Sequence, residues 1–292
     1  MPTMLSLHKP LAWALISLLL AGTLSACSTT RLGYNNLPWL VSWKSRDYVP
    51  LTREQRSWLR EQVALQRDWH CQQELPRYPA LLDQLATPLL NGNPSAKTLL
   101  SSRDQLEPTL DRLLTNLAPT LAELLQQLDD DQIAALQQNL NEQQQELYET
   151  YVAPDAATQA SERQERLERR LRPWIGRLQT EQQTRIAEWS AQLEGQNAIW
   201  LDNRSYWLDA FNATLNAREQ TDFNARIKRL LTDRESYWTE SFRQRTEINS
   251  QLAAEMLSDV VALNSSSQND RLRQRLDRLQ ADIARIDCSD SN

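Results

Sequence analysis

The stretch VPLTREQRSWL, residues 49–59, has the form of a helix start. Thr52-x-x-Gln55 carries the spacing of a capping box. The threonine hydroxyl accepts from a free backbone N–H of the first turn, and the glutamine reaches back to the N–H of the cap. Leu51 precedes the cap, and Leu59 lies eight positions after that leucine. The pattern returns three times. Asp129-x-x-Gln132 follows Leu128 and leads to Leu136. Leu178-Gln179-Thr180-Glu181-Gln182 leads to Ile186, with Thr180 and Gln183 reading as the better cap. Ser265-x-x-Gln268 keeps the cap and the glutamine, has Asn264 in the leucine's place, and leads to Leu272. A cap of this kind contributes about 1 kcal/mol. Capping alone therefore accounts for the repeats, and a binding motif is the competing reading.

Composition agrees with helices. Leu, Gln, Glu, Arg and Ala crowd the chain and are strong helix formers, while β-branched residues are sparse. Five glycines in 292 residues are too few for the turns of a sheet protein this long. The fold expected is all-α, an antiparallel multi-helix bundle compatible with an elongated form. A formal charge of −6 with no basic block makes a poor nucleic-acid binder, and no nucleic acid is expected as a partner.

Proline and glycine divide the chain. An apolar helical period predicts helices over 52–75, with a short continuation to about 85 and a turn-rich break at TPLLNGNPSAK, residues 87–97. Further helices are expected over 95–117, 119–127, 129–152, 156–172, 180–194, 197–217, 222–262 and 265–286. SERQERLERRLR, residues 161–172, places Glu162–Arg166, Glu165–Arg169 and Glu168–Arg172 at i,i+4 on a solvated face that Pro173 ends. One all-helical domain over 34–288 is expected, dividing into two sub-bundles near 153–178, with a disordered tail at 289–292.

The address is written at the front. Lys9, the apolar run Leu11 to Leu20 and Leu24-Ser25-Ala26-Cys27 have the layout of a secretory signal, too short to span a bilayer. Residues 1–26 are expected to be cleaved. Losing Lys9 moves the charge to −7, and residues 27–33 become a tether that extends only about 20 Å. Trp39 and Trp43 follow, i,i+4 neighbours on one helical face. They either pack onto the core or enter the lipid interface, where Trp is favoured. For most of the other tryptophans, which sit on apolar stripes, the core is expected.

Three resemblances add to this reading. Leu24-Ser25-Ala26-Cys27 resembles the lipobox of bacterial lipoproteins. It implies a diacylglycerol and an N-acyl chain on Cys27, with Ser28 directing the chain to the periplasmic face of the outer membrane. Leu51-Thr52-x-x-Gln55 is similar to the LTxxQ motif of the Spy/CpxP family of periplasmic chaperones, helical proteins that hold unfolded clients without ATP. More extensively, YNNLPWL, DYVPLTREQR, WH at 69–70 and ELPRYPALL look like a family of proteobacterial helical lipoproteins without an assigned activity.

The residues that could do chemistry are few. His70 is the one histidine after the signal, which excludes metal motifs needing two. It also leaves Ser/His/Asp catalysis without a recognisable nucleophile. Asp129-Asp130-Asp131 reads as acidic residues complementing a helix start. No metal site, cofactor or small-molecule substrate is expected, and the chain reads as a non-enzyme. With Cys27 taken by lipid, Cys71 and Cys288 form an even pair in an oxidising compartment and are expected to bond, two free thiols being the alternative. The expected job is an outer-membrane-anchored helical scaffold that binds an envelope protein. The alternative is a tethered holdase whose partners are unfolded clients.

Overall fold

The structure is a computed structural model that describes residues 33–286 and Cys288. Cys27, the expected signal, most of the expected tether and the 289–292 tail lie outside the described residues. Within them the chain is helical, with no strand. We number the helices α1 (Leu37–Lys44), α2 (Arg53–Trp69), α3 (Tyr78–Leu90), α4 (Ala96–Asp104), α5 (Glu107–Gln126) and α6 (Asp130–Tyr151). Then come α7 (Ala156–Ile175), α8 (Thr180–Gln192), α9 (Gln196–Asn216), α10 (Phe223–Thr232), α11 (Glu240–Ala262) and α12 (Ser266–Ala284).

Two buried clusters hold the helices together. The first joins Val49, Leu51 and Leu59 to Leu125, Leu128, Ile133 and Leu136, and to Phe211, Leu215, Phe223, Ile227 and Leu230. On α10 the inward residues Phe223, Ile227 and Leu230 recur at i, i+4 and i+7, one helical face exposed by 2% or less. The second joins Ile175, Leu178 and Ile186 to Met256, Val260 and Leu272, with Leu89 and Leu90 packed against it. The chain alternates between them. α1 and α2 build on the first cluster, α3 leans on α12 and α4 on α11, and α5 and α6 return to the first. α7 and α8 belong to the second, α9 and α10 to the first, α11 and α12 to the second. Each cluster therefore draws on residues from both sides of 153–178.

Several boundaries differ from the sequence reading. Helices run through Pro88, Pro119 and Pro173. Each proline removes one backbone bond, which sequence reasoning counts as a stop. Around Pro119, Ala118 and Ala122 are 1% and 0% exposed, so close packing holds the helix despite the missing bond. Residues 222–262 are not one helix. Trp207 Nε1 donates to the Leu230 carbonyl at 3.2 Å near the end of α10, and Asn203 Oδ1 accepts from Thr239 N at 2.8 Å. These long-range bonds satisfy backbone groups that a continuous helix would pair internally.

The tryptophans divide. Trp58 and Trp207 pack against the first cluster, and Trp174 and Trp189 against the second. Trp39 and Trp43 do neither.

Candidate functional site

The four helix starts meet in two pairs. At the first, Thr52 caps α2: its hydroxyl accepts from Gln55 N at 3.2 Å, and Gln55 Oε1 accepts from Thr52 N at 2.8 Å. Asp129 caps α6 in the same way, with Gln132 N donating to Oδ1 at 2.8 Å and Asp129 N to Gln132 Oε1 at 3.1 Å. The two glutamines then bond each other. Gln55 Nε2 donates to Gln132 Oε1 at 3.0 Å, and Gln132 Nε2 to Gln55 Oε1 at 2.7 Å. Their remaining N–H groups go to backbone carbonyls before the partner's helix: Gln55 to Gln127 O at 2.8 Å, Gln132 to Pro50 O at 2.9 Å. Every donor of both amides is used, as burial demands, since Gln55 is 9% and Gln132 5% exposed. Leu51 and Leu128, at 4% and 3%, are buried beside them.

The second pair is a variation on the first. Gln268 Nε2 donates to Gln182 Oε1 at 2.9 Å and to Arg177 O at 3.0 Å. Arg177 stands five positions before Gln182, as Pro50 stands five before Gln55. Gln182 Nε2 turns to Val260 O at 3.0 Å and Asn264 Oδ1 at 2.9 Å. Asn264, where the other repeats have leucine, thus supplies the acceptor that the reciprocal amide bond would have given. Gln179 Nε2 fills in, donating to Gln268 Oε1 at 2.9 Å and Leu263 O at 3.2 Å. Ser265 caps α12, accepting from Gln268 N at 3.3 Å.

The expectation that Thr180 caps α8 is corrected. Gln179, extended at φ −77° and ψ 162°, precedes the helix, and its N–H donates to Gln182 Oε1 at 2.9 Å. Thr180 is the first helical residue. The physical reason is register: only this start buries Gln182, at 0% exposure, against Gln268. Gln183 instead donates to Glu168 at 3.4 Å.

A third arrangement follows α2. The helix widens by a residue over His70–Glu74, a π turn of the kind frequent at functional sites. Three side chains turn inward. The His70 ring lies between two tyrosines, Nδ1 3.0 Å from Tyr34 Oη and Nε2 2.8 Å from Tyr78 Oη. Tyr34 also donates to Arg67 O at 3.1 Å. With that proton committed, the consistent tautomer carries its hydrogen on Nδ1 and accepts from Tyr78 at Nε2. Burial pushes the His70 pKa down, opposed by the nearby Glu74 charge. Cys71, 5% exposed, is joined to Cys288 in a disulfide with Cα atoms 5.7 Å apart. Glu74 is 1% exposed and takes a two-pronged ion pair from Arg112 on α5, at 2.7 and 2.8 Å. That pair holds the Glu74 carboxyl below the usual carboxylate range.

Sequence reasoning missed the Glu74–Arg112 pair and the joining of the helix starts. Charge spacing along one helix says nothing about a partner 38 residues away. The glutamine at the third position was the available signal, because all four repeats keep it while the cap itself varies. Of the expected surface pairs, Glu162–Arg166 and Glu165–Arg169 form at 3.3 and 3.4 Å. Glu168 accepts from Gln164 and Gln183 instead of Arg172. Asp129 serves as a cap, and Asp130 pairs with Arg218.

Trp39 and Trp43 lie on the outer face of α1, 54% and 51% exposed, their rings stacked 6.1 Å apart and 7° from parallel. The opposite face carries Val41, packed on the first cluster, and Ser42, 1% exposed and bonded by Arg60 Nε at 3.2 Å. Arg67 reaches Asn35 O and Arg60 reaches Ser42, so α1 runs antiparallel to α2. The start of α1 therefore sits beside His70. Among the described residues no helix is long and apolar enough to cross a membrane, and no cluster of His, Cys, Asp and Glu is placed to hold a metal.

Taken together, this is a multi-helix protein whose helix starts are joined through buried glutamines. It belongs to a family of unknown function, DUF6279, whose model matches residues 47–243. Comparison with curated proteins gave no match, and comparison with solved structures gave none. The matched segment holds the whole first junction and Gln182, and leaves out Trp39, Trp43 and α12.

Proposed function

We propose that the protein is a lipid-anchored, non-catalytic helical scaffold of the bacterial envelope, held at a membrane through Cys27 and presenting its helical body to another envelope protein. The observation that carries this reading is the stacked, half-exposed Trp39–Trp43 pair, twelve and sixteen residues after the lipobox cysteine. Leaving two indole rings in water forgoes apolar burial, whereas the lipid interface receives both the ring and its N–H. Arg46, exposed just beyond, suits phosphate headgroups at the same level, while Lys44 pairs with Asp47 at 2.6 Å.

In this chain the residues that resemble the chaperone motif serve to join helices. Leu51, Gln55, Leu128 and Gln132 are buried in the junction, so they present no surface to a client. A holdase would need an exposed, adaptable apolar surface elsewhere.

The test uses the lipidated chain in liposomes whose acyl chains carry bromine. Emission from Trp39 and Trp43, taken as the difference from a W39F/W43F variant, should be quenched. Unquenched emission removes the membrane-facing role. Cys27→Ser should release the chain from the membrane fraction, and retention there would refute the anchor. In-cell crosslinking should recover one partner reproducibly. A broad range of denatured clients, with suppressed aggregation of a denatured protein at equimolar ratio, would favour the holdase.

A further inference from the structure

Five arginines converge where α7 ends against α12. Arg172 and Arg177 line one opening with Glu168, Leu178 and Gln183. Arg271, Arg275 and Arg278 line the next with Pro173 and Gln274. On α12 the three recur at i, i+4 and i+7, a single stripe along one face. None of the five makes an ion pair among the described residues, although acidic residues outnumber basic ones, 38 to 32, in the chain. On α12 itself Asp270, Asp277 and Asp282 stand beside the stripe, none in an ion pair among the described residues, and Glu168 lines the first opening. Glu168 is held by Gln164 and Gln183, and Asp282 lies one turn beyond Arg278.

The arginines are also positioned. The Arg275 guanidinium lies over the Trp174 ring at 5.7 Å. Arg278 Nε donates to Gln274 O at 3.2 Å, leaving its terminal nitrogens to solvent. Arg271 passes across Gly176, its Cδ only 3.3 Å from where a Cβ would stand. Charge complementing the carboxyl end of α7 accounts for Arg172. It does not account for a stripe in the middle of α12.

The stripe leads toward the anchored corner. α12 ends at Ala284, and Cys288 is joined to Cys71, whose neighbour His70 bonds Tyr34. Arg278 lies six residues before the end of α12, about 9 Å along the helix, and ten residues before Cys288. We propose that this groove binds phosphate-bearing lipid headgroups, the five guanidinium groups taking phosphate oxygens as paired donors. The proposal rests on the membrane-anchored reading above and adds a second contact with the same surface, along α12.

The experiment exposes the full lipidated chain to an arginine-specific dicarbonyl reagent, with modification mapped by mass spectrometry. It compares vesicles of zwitterionic phospholipid, vesicles containing anionic phospholipid, and vesicle-free protein in detergent with inorganic phosphate. Labelling of Arg271, Arg275 and Arg278 should fall at least fivefold with anionic phospholipid and less than twofold with zwitterionic lipid or inorganic phosphate. Surface arginines such as Arg103 and Arg229 serve as references. Equal labelling in both kinds of vesicle overturns the proposal. Equal protection by inorganic phosphate overturns the lipid assignment and makes the groove a free-anion site. Protection that appears only in cells, with a crosslinked acidic protein, replaces lipid with a protein partner and also overturns it. Sedimentation of the same samples separates the two readings, since a chain that fails to sediment with either vesicle refutes the anchor rather than the groove. An R271Q/R275Q/R278Q variant should keep its Trp39 and Trp43 quenching and lose any preference for anionic vesicles. A retained preference counts against the groove.

Discussion

Replacing Gln55 with alanine removes four hydrogen bonds, to Thr52 N, Gln127 O and twice to Gln132. The cost should be about 2–4 kcal/mol, combining a lost cap with buried groups left unpaired. Gln132→Ala should cost a similar amount. The double variant should cost clearly less than the two added together, because each single change already breaks the shared bonds. Urea denaturation of the three variants measures the coupling, and strict additivity would mean the two amides do not act on each other. His70 sets a pH dependence of definite sign. Its folded-state pKa lies below the ordinary 6.5, so the unfolded chain takes up the proton first. Stability should therefore fall as pH drops below about 6.5 and level off below the folded-state value. Glu74 acts lower: its depressed pKa gives stability present above 4.5 and lost as pH falls through the folded-state value. Melting temperatures at pH 7.5 and 5.5 should differ for the native chain, and the difference should shrink in His70→Gln.

Gly176 ends α7 at φ 80° and ψ −147°, a region close to one that only glycine occupies readily. Gly176→Ala should cost about 1–3 kcal/mol from backbone strain alone, with Arg271 displaced as well. Gly33→Ala, with nothing within 4 Å, is the neutral control. Denaturation midpoints of the two variants decide, and equal midpoints would show that the turn relaxes freely. At this scale the sequence was readable where the signal is local. The starts of α2, α6, α7 and α12 lie within a residue or two of the expected positions, because Thr52, Asp129, Asp155 and Ser265 act on their own first turns. Helix ends were harder to read. Proline is a stop only when nothing else holds the helix, and at Pro119 the packing of Ala118 and Ala122 does. The break before α11 depends on Asn203 and Trp207, distant in sequence from the residues whose backbone they satisfy. The paired junctions were the least readable feature, since a capping box looks the same whether its glutamine ends in water or against another glutamine.

Across the whole molecule, the Cys71–Cys288 bond closes a loop of 217 residues. In the chain-entropy model such a loop contributes about 5 kcal/mol. Reduction, or Cys71→Ser, should lower stability by several kcal/mol and loosen α12 before the rest. Thiol titration of the denatured, unreduced protein should find neither cysteine free, and two free thiols would rule the bond out. The position of this bond has a mechanical consequence. Tyr34 on the incoming chain bonds His70, and the next residue is joined covalently to the far end of the chain. A pull applied at Gly33 is therefore shared between the first helix and the last, and tension on the leading end does not have to travel through the intervening helices to reach the trailing one. Residues 71–288 form a covalent ring, and the Tyr34–His70 hydrogen bond seats the start of the described chain beside the point where that ring closes.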